Sequence, residues 1–206
     1  MSNKIKLVSP QLQLSKSIAI IGSSSKILND KKGNFIDTFA EVVRFNRSIT
    51  KNYEINVGSK TTLRAVSNHV FDNVDISKKG FTNSPKKFVK KLRNSKILYI
   101  GPDVGPWERR KKNTHRSNKL FKFDYLKLYE VKNVLGLDTD KNLQIGTIVI
   151  GLCILSDIKP HIFGFDLNNE KRTHYFESRP ESSSHDALAE TDALRRLVNK
   201  GLIICD

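Results

Sequence analysis

Two short segments near the end of the chain carry the histidines best suited to acid–base chemistry. One reads His-Tyr-Phe-Glu from His174 to Glu177, and the other reads His-Asp-Ala-Leu-Ala-Glu from His185 to Glu190. An imidazole that is neutral near pH 7 can take a proton from a hydroxyl group, so either histidine is a candidate general base. A single histidine is more often structural than catalytic, and the pattern alone leaves both roles open.

The residues around His185 predict how its side chain is held. Ser183 and Asp186 have the spacing of a capping box, and apolar residues at helical spacing follow them. We therefore expect a helix with His185 in its first turn, where the helix dipole disfavours imidazolium and lowers the histidine pKa. Glu190 follows about one and a half turns later. It is predicted to fix this helix against a neighbouring element.

A glycine- and serine-rich segment, Ile21–Ser25, is a candidate ligand-binding turn. It ends an apolar run, and Gly22 allows the backbone to approach a ligand closely. Free N–H groups and the hydroxyls of Ser23 and Ser24 can hold an oxyanion. The segment lacks the Gly-Lys-Ser/Thr of a P-loop and the three glycines of a dinucleotide fingerprint. An ordinary strand-to-helix turn is therefore the alternative interpretation.

A second polar group follows the apolar residues Val42 and Val43. Asn46 stands at the predicted end of a strand, where its amide can make a bidentate contact to a base or a sugar. Arg44 can bind a phosphate or hold a structural carboxylate such as Asp37. Each of these residues, taken alone, is equally compatible with a structural role.

Strands and helices that alternate along the chain must position these candidates. Apolar strands are predicted at 18–22, 61–67, 96–101 and 161–166, and an apolar helix begins at Gly146. Unbroken apolar strands that alternate with helices predict an α/β fold with a mostly parallel sheet flanked by helices. Because no linker or repeat interrupts the pattern, we expect a single domain over residues 1–206.

Composition narrows the classes of function. The chain has 206 residues and a net charge of +15, which suits anionic small molecules or glycans, a nucleic acid, or simply a lysine-rich surface. No recognisable nucleic-acid module is present, and no apolar run approaches the roughly 18–20 residues that span a membrane. A structural disulfide between Cys153 and Cys205, the two cysteines, is not expected. The predicted location is therefore cytoplasmic.

Taken in order, these segments resemble the four motifs of the animal-type sialyltransferase family. The long motif of that family reads roughly V-V-G-N-S-G, I-D, V-I-R-x-N and V-G-x-[KR]-T. Here IIGSSS, Ile36-Asp37, VVRFN and VGSKT follow one another at compatible spacing. The short motif, P-S-T-G followed by an apolar helix and a strand ending F-G-F, is similar to the segment from Gly146 to Phe165. The third and last motifs, H-Y-Y-E and H-x-x-x-x-E, begin at His174 and His185.

The resemblance implies a Rossmann-like nucleotide-binding domain and a reaction that needs no metal ion or cofactor. The donor would be a CMP-sugar, sialic acid or a related keto-acid sugar, and the acceptor a hydroxyl of a glycan or glycolipid. His185 would be the general base, and His174 would bind or protonate the leaving phosphate, with Glu190 beside them. The residues implied in donor binding are Gly22, Ser23, Ser24, Asn46, Gly146, Thr147 and Tyr175.

Three departures from the family pattern bear on the donor and the compartment. Ser23 stands where the family has asparagine, and Leu143-Gln144-Ile145 replaces Pro-Ser-Thr, so that two hydroxyls that would face the donor are missing. Thr147 and Gln144 are the candidates to substitute for them. Ile18 and Asp157 stand where secretory-pathway members have a cysteine pair. The substitutions leave open which sugar is transferred, and the missing cysteines fit a reducing compartment.

Two other classes of function remain as alternatives. One is a non-catalytic relative that binds a nucleotide or a sugar, which the altered donor positions allow. The other is a basic nucleic-acid-binding protein, whose affinity would fall steeply with salt. The sequence does not specify the acceptor, the linkage or the oligomeric state.

Overall fold

Seven parallel β-strands form one sheet in the computed structural model, which describes residues 12–71, 92–101, 114–168, 174–176 and 185–206. Every pairing between neighbouring strands is parallel. The strands are β1 (Ile18–Ile21), β2 (Glu41–Phe45), β3 (Leu63–Ser67), β4 (Lys96–Ile100), β5 (Lys119–Lys122), β6 (His161–Phe163) and β7 (Ile204–Cys205). The predicted α/β fold is confirmed, and the sheet is parallel throughout the described residues.

The strand order in the sheet is β5-β4-β3-β2-β1-β6-β7. The chain therefore builds the sheet outward from β1 in one direction as far as β5, and then returns to the other side of β1 with β6. A reversal of this kind is a topological switch point, and ligands of open α/β sheets bind outside the carboxyl ends of the strands at that point. The ends of β1 and β6 are the place where a site is expected.

Six α-helices in the described residues cover the two faces of the sheet. They are α1 (Gly33–Thr38), α2 (Glu54–Val57), α3 (Asn68–Phe71), α4 (Leu128–Leu135), α5 (Ile145–Leu155) and α6 (Ala187–Asn199). Short 3₁₀ segments at Ser25–Asn29 and Tyr125–Lys127 follow β1 and β5.

Alternate residues of β1 show how both faces are buried. Ile18 and Ile20 pack with apolar residues of α4, α5 and α6 in one core cluster, whereas Ala19 and Ile21 pack with residues of α1 and α2 in another. All four residues are at most 1% exposed. A strand covered on both faces favours apolar residues at successive positions, which explains why the run at 18–22 does not alternate with polar residues.

Helix α5 is buried along most of its length. Seven consecutive residues, from Thr147 to Cys153, are buried, and Gly151 lies where an added Cβ would come within 2.7 Å of Val131 on α4. The glycine therefore lets α4 and α5 approach closely. The predicted apolar helix from Gly146 is confirmed.

The start of α6 differs from the prediction. Asp186 is the N-cap, and its carboxylate accepts a hydrogen bond from the backbone N–H of Ala189. The predicted capping box of Ser183 and Asp186 is wrong, because Asp186 itself is the cap, and His185 precedes the helix instead of lying in its first turn. The predicted helix end is confirmed, since Gly201 follows with a φ of +67°.

The sequence also predicts helices at 121–136 and, from the helical spacing of its apolar residues, at 84–94. Of the segment 121–136, interpreted as helical, only Leu128–Leu135 forms an α-helix, while its first residues belong to β5 and a 3₁₀ turn. The lysine-rich helix predicted at 84–94 lies almost entirely outside the described residues.

The two thiols are far from forming a disulfide. Cys153 is buried in α5, where burial raises its pKa, and Cys205 is exposed on β7; neither is oxidised. Among the described residues, no helix combines the length and the apolar character that a membrane crossing requires.

Candidate active site

The turn after β1 is packed against the turn after β6 at the switch point. The N–H of Gly22 donates to the Phe163 carbonyl at 2.7 Å, and the N–H of Ser24 donates to the Gly164 carbonyl at 3.0 Å. A Cβ at position 22 would lie 2.3 Å from the Gly164 oxygen. Gly22 is therefore required so that two segments of backbone can approach each other. The sequence-based prediction had explained this glycine by the approach of a ligand.

The His174–Phe176 segment lies directly on this turn. His174 forms an antiparallel bridge with Ser24, and the N–H of Tyr175 donates to the Ser23 carbonyl at 3.0 Å. The Ser24 hydroxyl oxygen accepts from the N–H of Lys26, so it caps the 3₁₀ turn. The fold thus brings together His174 and the serine turn, which about 150 residues of sequence separate.

Tyr175 joins the turn after β1 to the loop after β2. Its side chain is buried, and its hydroxyl donates to the Ile49 carbonyl at 2.5 Å. Burial raises the pKa of Tyr175 to about 12, and the nearby Arg44 and Arg64 only partly oppose this shift. The phenol is therefore a neutral hydrogen-bond donor to the protein backbone. In the structure it braces the loops beside His174, while its predicted contact with a donor stays a prediction.

Asn46 stands immediately after β2 in a left-handed backbone conformation, with a φ of +44°. Its side-chain Oδ1 accepts a hydrogen bond from the backbone N–H of Ser67 at 3.0 Å. Because a backbone N–H can only donate, this contact identifies which end of the amide is oxygen. The Nδ2 group is thus the end of the amide that is left for a ligand, and it offers donors only.

The first turn of α5 lies at the same edge of the sheet. A Cβ on Gly146 would come within 3.0 Å of the Phe165 ring, which follows β6, and within 3.5 Å of the Phe45 ring, which ends β2. The rings of Phe45 and Phe165 are themselves in edge-to-face contact, with 6.4 Å between their centroids. Gly146 therefore places the N-terminus of α5 against the ends of β2 and β6.

Glu190 on α6 holds this turn in place. Its carboxylate, which is 1% exposed, accepts from the N–H of Gln144 at 3.0 Å and from the hydroxyl of Thr147 at 2.5 Å. Gln144 is the N-cap of α5, so the contact serves as a capping interaction between two helices. The prediction that Glu190 fixes its helix against a neighbour is confirmed. A direct catalytic contact of Glu190 stays a prediction.

His185 is held beside the same turn by one ring nitrogen. Its Nδ1 lies 2.8 Å from the carbonyl oxygen of Asn142, and the two residues form a parallel bridge. A carbonyl can only accept, so Nδ1 carries the proton and Nε2 is the basic nitrogen of the neutral ring. This is the tautomer that a general base requires.

Arg44 makes no hydrogen bond to Asp37 among the described residues, although its charge helps to lower the pKa of that carboxyl, and its contact with a phosphate stays a prediction. Arg44 is fully buried, and its guanidinium donates to main-chain carbonyls of the segment before β3: those of Val57, Gly58 and Lys60. The carboxylate of Asp37 instead accepts from the backbone N–H groups of Ser59 and Lys60. Partial burial acts to raise the pKa of Asp37, but these hydrogen bonds together hold that pKa below its usual value.

Sequence reasoning missed Arg64, which proves to be a neighbour of Asn46. Arg64 is 6% exposed, and its Nη1 donates to the Asn46 carbonyl at 3.0 Å. The signal in the sequence is a charged residue inside an otherwise apolar strand, TTLRAVS.

Metal-binding residues do not gather anywhere in the described part of the chain. No group of three or more His, Cys, Asp or Glu side chains is close enough there to hold a metal ion. Asp138 and Asp140, the Asp-Thr-Asp segment of the sequence, lie in the loop before α5.

Comparison with known proteins agrees with this arrangement. Residues 4–98 match the profile of glycosyltransferase family 29 (sialyltransferase). Over these residues, the chain is similar to the family 29 sialyltransferases. The matched residues include the serine turn, Asn46 and Arg64, so they contain the first half of the candidate site.

Several family 29 relatives are similar over parts of the chain. Beta-galactoside alpha-2,6-sialyltransferase 2 of Xenopus tropicalis is 44% identical over 55 residues, which are 27% of this chain and 11% of that protein. The Pan troglodytes protein of the same name is 40% identical over 92 residues, 45% of this chain and 16% of that protein. Beta-1,6-galactosyltransferase GALT29A of Arabidopsis thaliana is 25% identical over 211 residues, 89% of this chain and 51% of that protein. The chain thus matches about half of the last relative and much less of the others.

A solved structure has a similar fold over nearly the whole chain. A mammalian sialyltransferase crystallised with Gal-beta-1-3GalNAc-ortho-nitrophenol superposes with a TM-score of 0.61 and 18% identity, covering 92% of this chain and 68% of that one. At this level of identity the likeness establishes the α/β fold.

Proposed function

We propose that this protein is a glycosyltransferase that moves sialic acid, or a related keto-acid sugar, from a CMP-sugar donor to a hydroxyl of a glycan or glycolipid. One observation carries the proposal. Four segments that resemble the sialyltransferase motifs meet at one edge of the sheet. The serine turn contacts His174. The N-terminus of α5 contacts Glu190, and the loop before α5 contacts His185.

The proposed reaction begins with His185. Nε2 takes the proton of the acceptor hydroxyl while the hydroxyl oxygen forms a bond to the anomeric carbon of the donor sugar. The bond between that carbon and the phosphate oxygen breaks, its electron pair stays on the phosphate, and CMP leaves. His174 binds or protonates the departing phosphate. A single displacement of this kind inverts the anomeric configuration.

The nucleotide is proposed to lie between Asn46 and the serine turn. The Nδ2 group of Asn46 donates to an acceptor atom of the base or ribose, and Ser23 stands beside it across the ends of β2 and β1. The N-terminus of α5, with Gly146 and Thr147, lies at the same edge of the sheet, where Gly146 packs against the rings of Phe45 and Phe165. The related crystallised enzyme holds a disaccharide derivative, which supports a glycan acceptor here.

A second candidate is transfer of galactose from a uridine nucleotide. The relative aligned over 89% of this chain is named a galactosyltransferase. A neutral hexose carries no carboxylate, which suits a site in which Gln144-Ile145 replaces the two hydroxyl-bearing residues of the sialyltransferase pattern.

Thermal unfolding with a panel of nucleotides distinguishes these functions. The panel contains CMP, CDP, UMP, UDP, AMP, GMP and a short RNA, each at about 100 times its dissociation constant where it binds. Such a ligand adds roughly 2.7 kcal/mol to the free energy of unfolding, which raises the Tm by several degrees. A shift with CMP leads to transfer assays with CMP-sialic acid and CMP-Kdo, in which turnover is expected to persist in EDTA.

Each result of the panel has a defined meaning. A shift with UDP alone replaces the first proposal with the second. A shift with RNA that disappears at high salt, and none with nucleotides, contradicts both and supports the basic nucleic-acid-binding alternative. Binding of CMP without any transfer would identify a non-catalytic relative.

A further inference from the structure

A buried arginine holds the turn on which Asn46 stands. Arg64 lies on β3, and its Nη1 donates to the Asn46 carbonyl at 3.0 Å, to the Ser48 carbonyl at 2.9 Å and to the Ser48 hydroxyl at 3.2 Å. The same turn is fixed by the Asn46 N–H, which donates to the Ala65 carbonyl at 2.8 Å. Residues 46–48 are therefore tied to β3 through both main chain and side chain.

Burial of the Arg64 charge is unfavourable in free energy. Burial lowers the pKa of Arg64 to about 10, and the nearby charge of Arg44 acts in the same direction. The guanidinium nevertheless stays charged near neutrality, and a charge taken out of water costs several kcal/mol before its contacts are counted. Neutral side chains can satisfy two carbonyls and a hydroxyl at lower cost. The buried charge lies at the turn that contains Asn46. The left-handed backbone of Asn46 is itself uncommon.

We propose that Arg64 is a positioning residue for nucleotide binding: it fixes the 46–48 turn so that the Nδ2 donor of Asn46 is already oriented before the nucleotide arrives. This rests on the proposed function, in which Asn46 contacts the donor. A site oriented in advance binds more tightly because less conformational freedom is lost on binding. Arg64 itself acts through Asn46 and has no contact with the ligand.

Arg44 provides a matched control for this idea. It is the direct partner of Arg64 in the register of β2 and β3, and it is equally buried. Its guanidinium, however, binds the carbonyls of the segment before β3 and makes no bond to Asn46. Substituting Arg44 therefore reproduces the loss of a buried guanidinium fork while it leaves the 46–48 turn untouched.

The first experiment compares CMP binding by Arg64→Lys and Arg44→Lys with calorimetric titration. Both variants are expected to lower the Tm, whereas the Kd for CMP is expected to rise about tenfold in R64K alone, the equivalent of one lost hydrogen bond. In the Asn46→Gly background, R64K is expected to have no further effect on the Kd, because the side-chain amide that Arg64 positions is gone, even though the main-chain acceptor at position 46 remains. Equal changes of Kd in the two lysine variants, or an undiminished effect in N46G, would overturn the proposal.

A second measurement needs no ligand, so it separates this proposal from the proposed function. The Ser67 amide proton, which bonds Asn46 Oδ1, is expected to exchange with solvent faster in R64K than in R44K, relative to the other amides of β3. Unchanged protection of Ser67 contradicts the positioning role even if CMP binds. If R64K does not fold, Ser48→Ala removes one acceptor of Arg64 and is expected to shift both measurements in the same direction by less. No shift of either in S48A then refutes the proposal.

Discussion

The two sides of the candidate site are built differently. At the end of β2, Asn46 is held by main-chain bonds and by a guanidinium that comes from inside the sheet. At the start of α6, His185 and Glu190 are held through their own side chains to the loop and helix in front of them. The first side depends on the sheet, which many residues stabilise together. The second depends on a few side-chain contacts, so the effect of a single substitution there is expected to follow from the one contact that it removes.

The largest effect is expected from His185→Ala. Removal of a general base lowers turnover by about 10²–10⁴-fold, and because His185 is half-buried at the helix entrance, the Kd for CMP and the Tm should stay close to those of the wild type. The measurement is kcat with CMP binding in parallel.

The matched control for His185 is His161→Ala. His161 lies at the amino end of β6, where it pairs with Asp206 at 2.7 Å, on the opposite edge of the sheet. Its substitution should leave kcat unchanged. Full activity in H185A would remove the proposed base and, with it, the contrast between the two sides.

A smaller effect is expected from Glu190→Gln. A buried carboxylate that accepts from an N–H and a hydroxyl contributes about 1.5–3 kcal/mol, so the free energy of unfolding should fall by that amount. CMP binding should weaken as well, because the same carboxylate holds the first turn of α5. Chemical denaturation and calorimetric titration measure the two effects.

Glu130→Gln is the control for Glu190. Glu130 forms a surface pair with Lys127 within one helix turn, at 2.7 Å. Pairs of this kind contribute less than about 1 kcal/mol. If the two glutamine variants were equally stable, Glu190 would not be the tie between α5 and α6 that its contacts indicate.

The smallest effect is expected from Asp37→Asn. Asp37 lies away from both sides of the candidate site. Because the pKa of Asp37 is lower in the folded chain, the ionised carboxylate stabilises the protein above its unfolded pKa of about 3.9, and this contribution disappears as the pH falls through the folded pKa. The variant should be less stable than the wild type by about 1 kcal/mol at pH 7, and the difference should shrink below about pH 4.

Denaturation at several pH values tests the Asp37 prediction, with Asp192→Asn as the control. Asp192 is an exposed partner of Arg195 on α6. A difference between wild type and D37N that is independent of pH would show that the carboxylate charge contributes nothing. CMP binding should be unaffected in both variants.

The sequence predicted the sheet well and the detailed contacts less well. Apolar runs identify buried strands because a strand covered on both faces favours apolar residues at successive positions, as β1 shows. The resemblance assigned His174, His185, the serine turn and Gly146 to one site, and the structure brings His174 to the serine turn. Local patterns misplaced the start of α6, because Asp186 is as good a cap as Ser183 and tertiary contacts with Thr139 favour it. No local rule indicates that Gly22 faces Gly164, since the strand that carries Gly164 pairs with β1 from far along the chain.

Part of the basic charge of this protein lies inside it, a fact with consequences for its behaviour in salt. Arg44, Arg47 and Arg64 are at most 6% exposed, so they recruit few counterions from solution. Surface lysines bind a polyanion by releasing such ions, and added salt weakens that binding steeply. The field of an enclosed guanidinium is much less screened. A small anion that binds at the candidate site, near these arginines, should therefore keep its affinity at ionic strengths at which a polyanion dissociates from the surface.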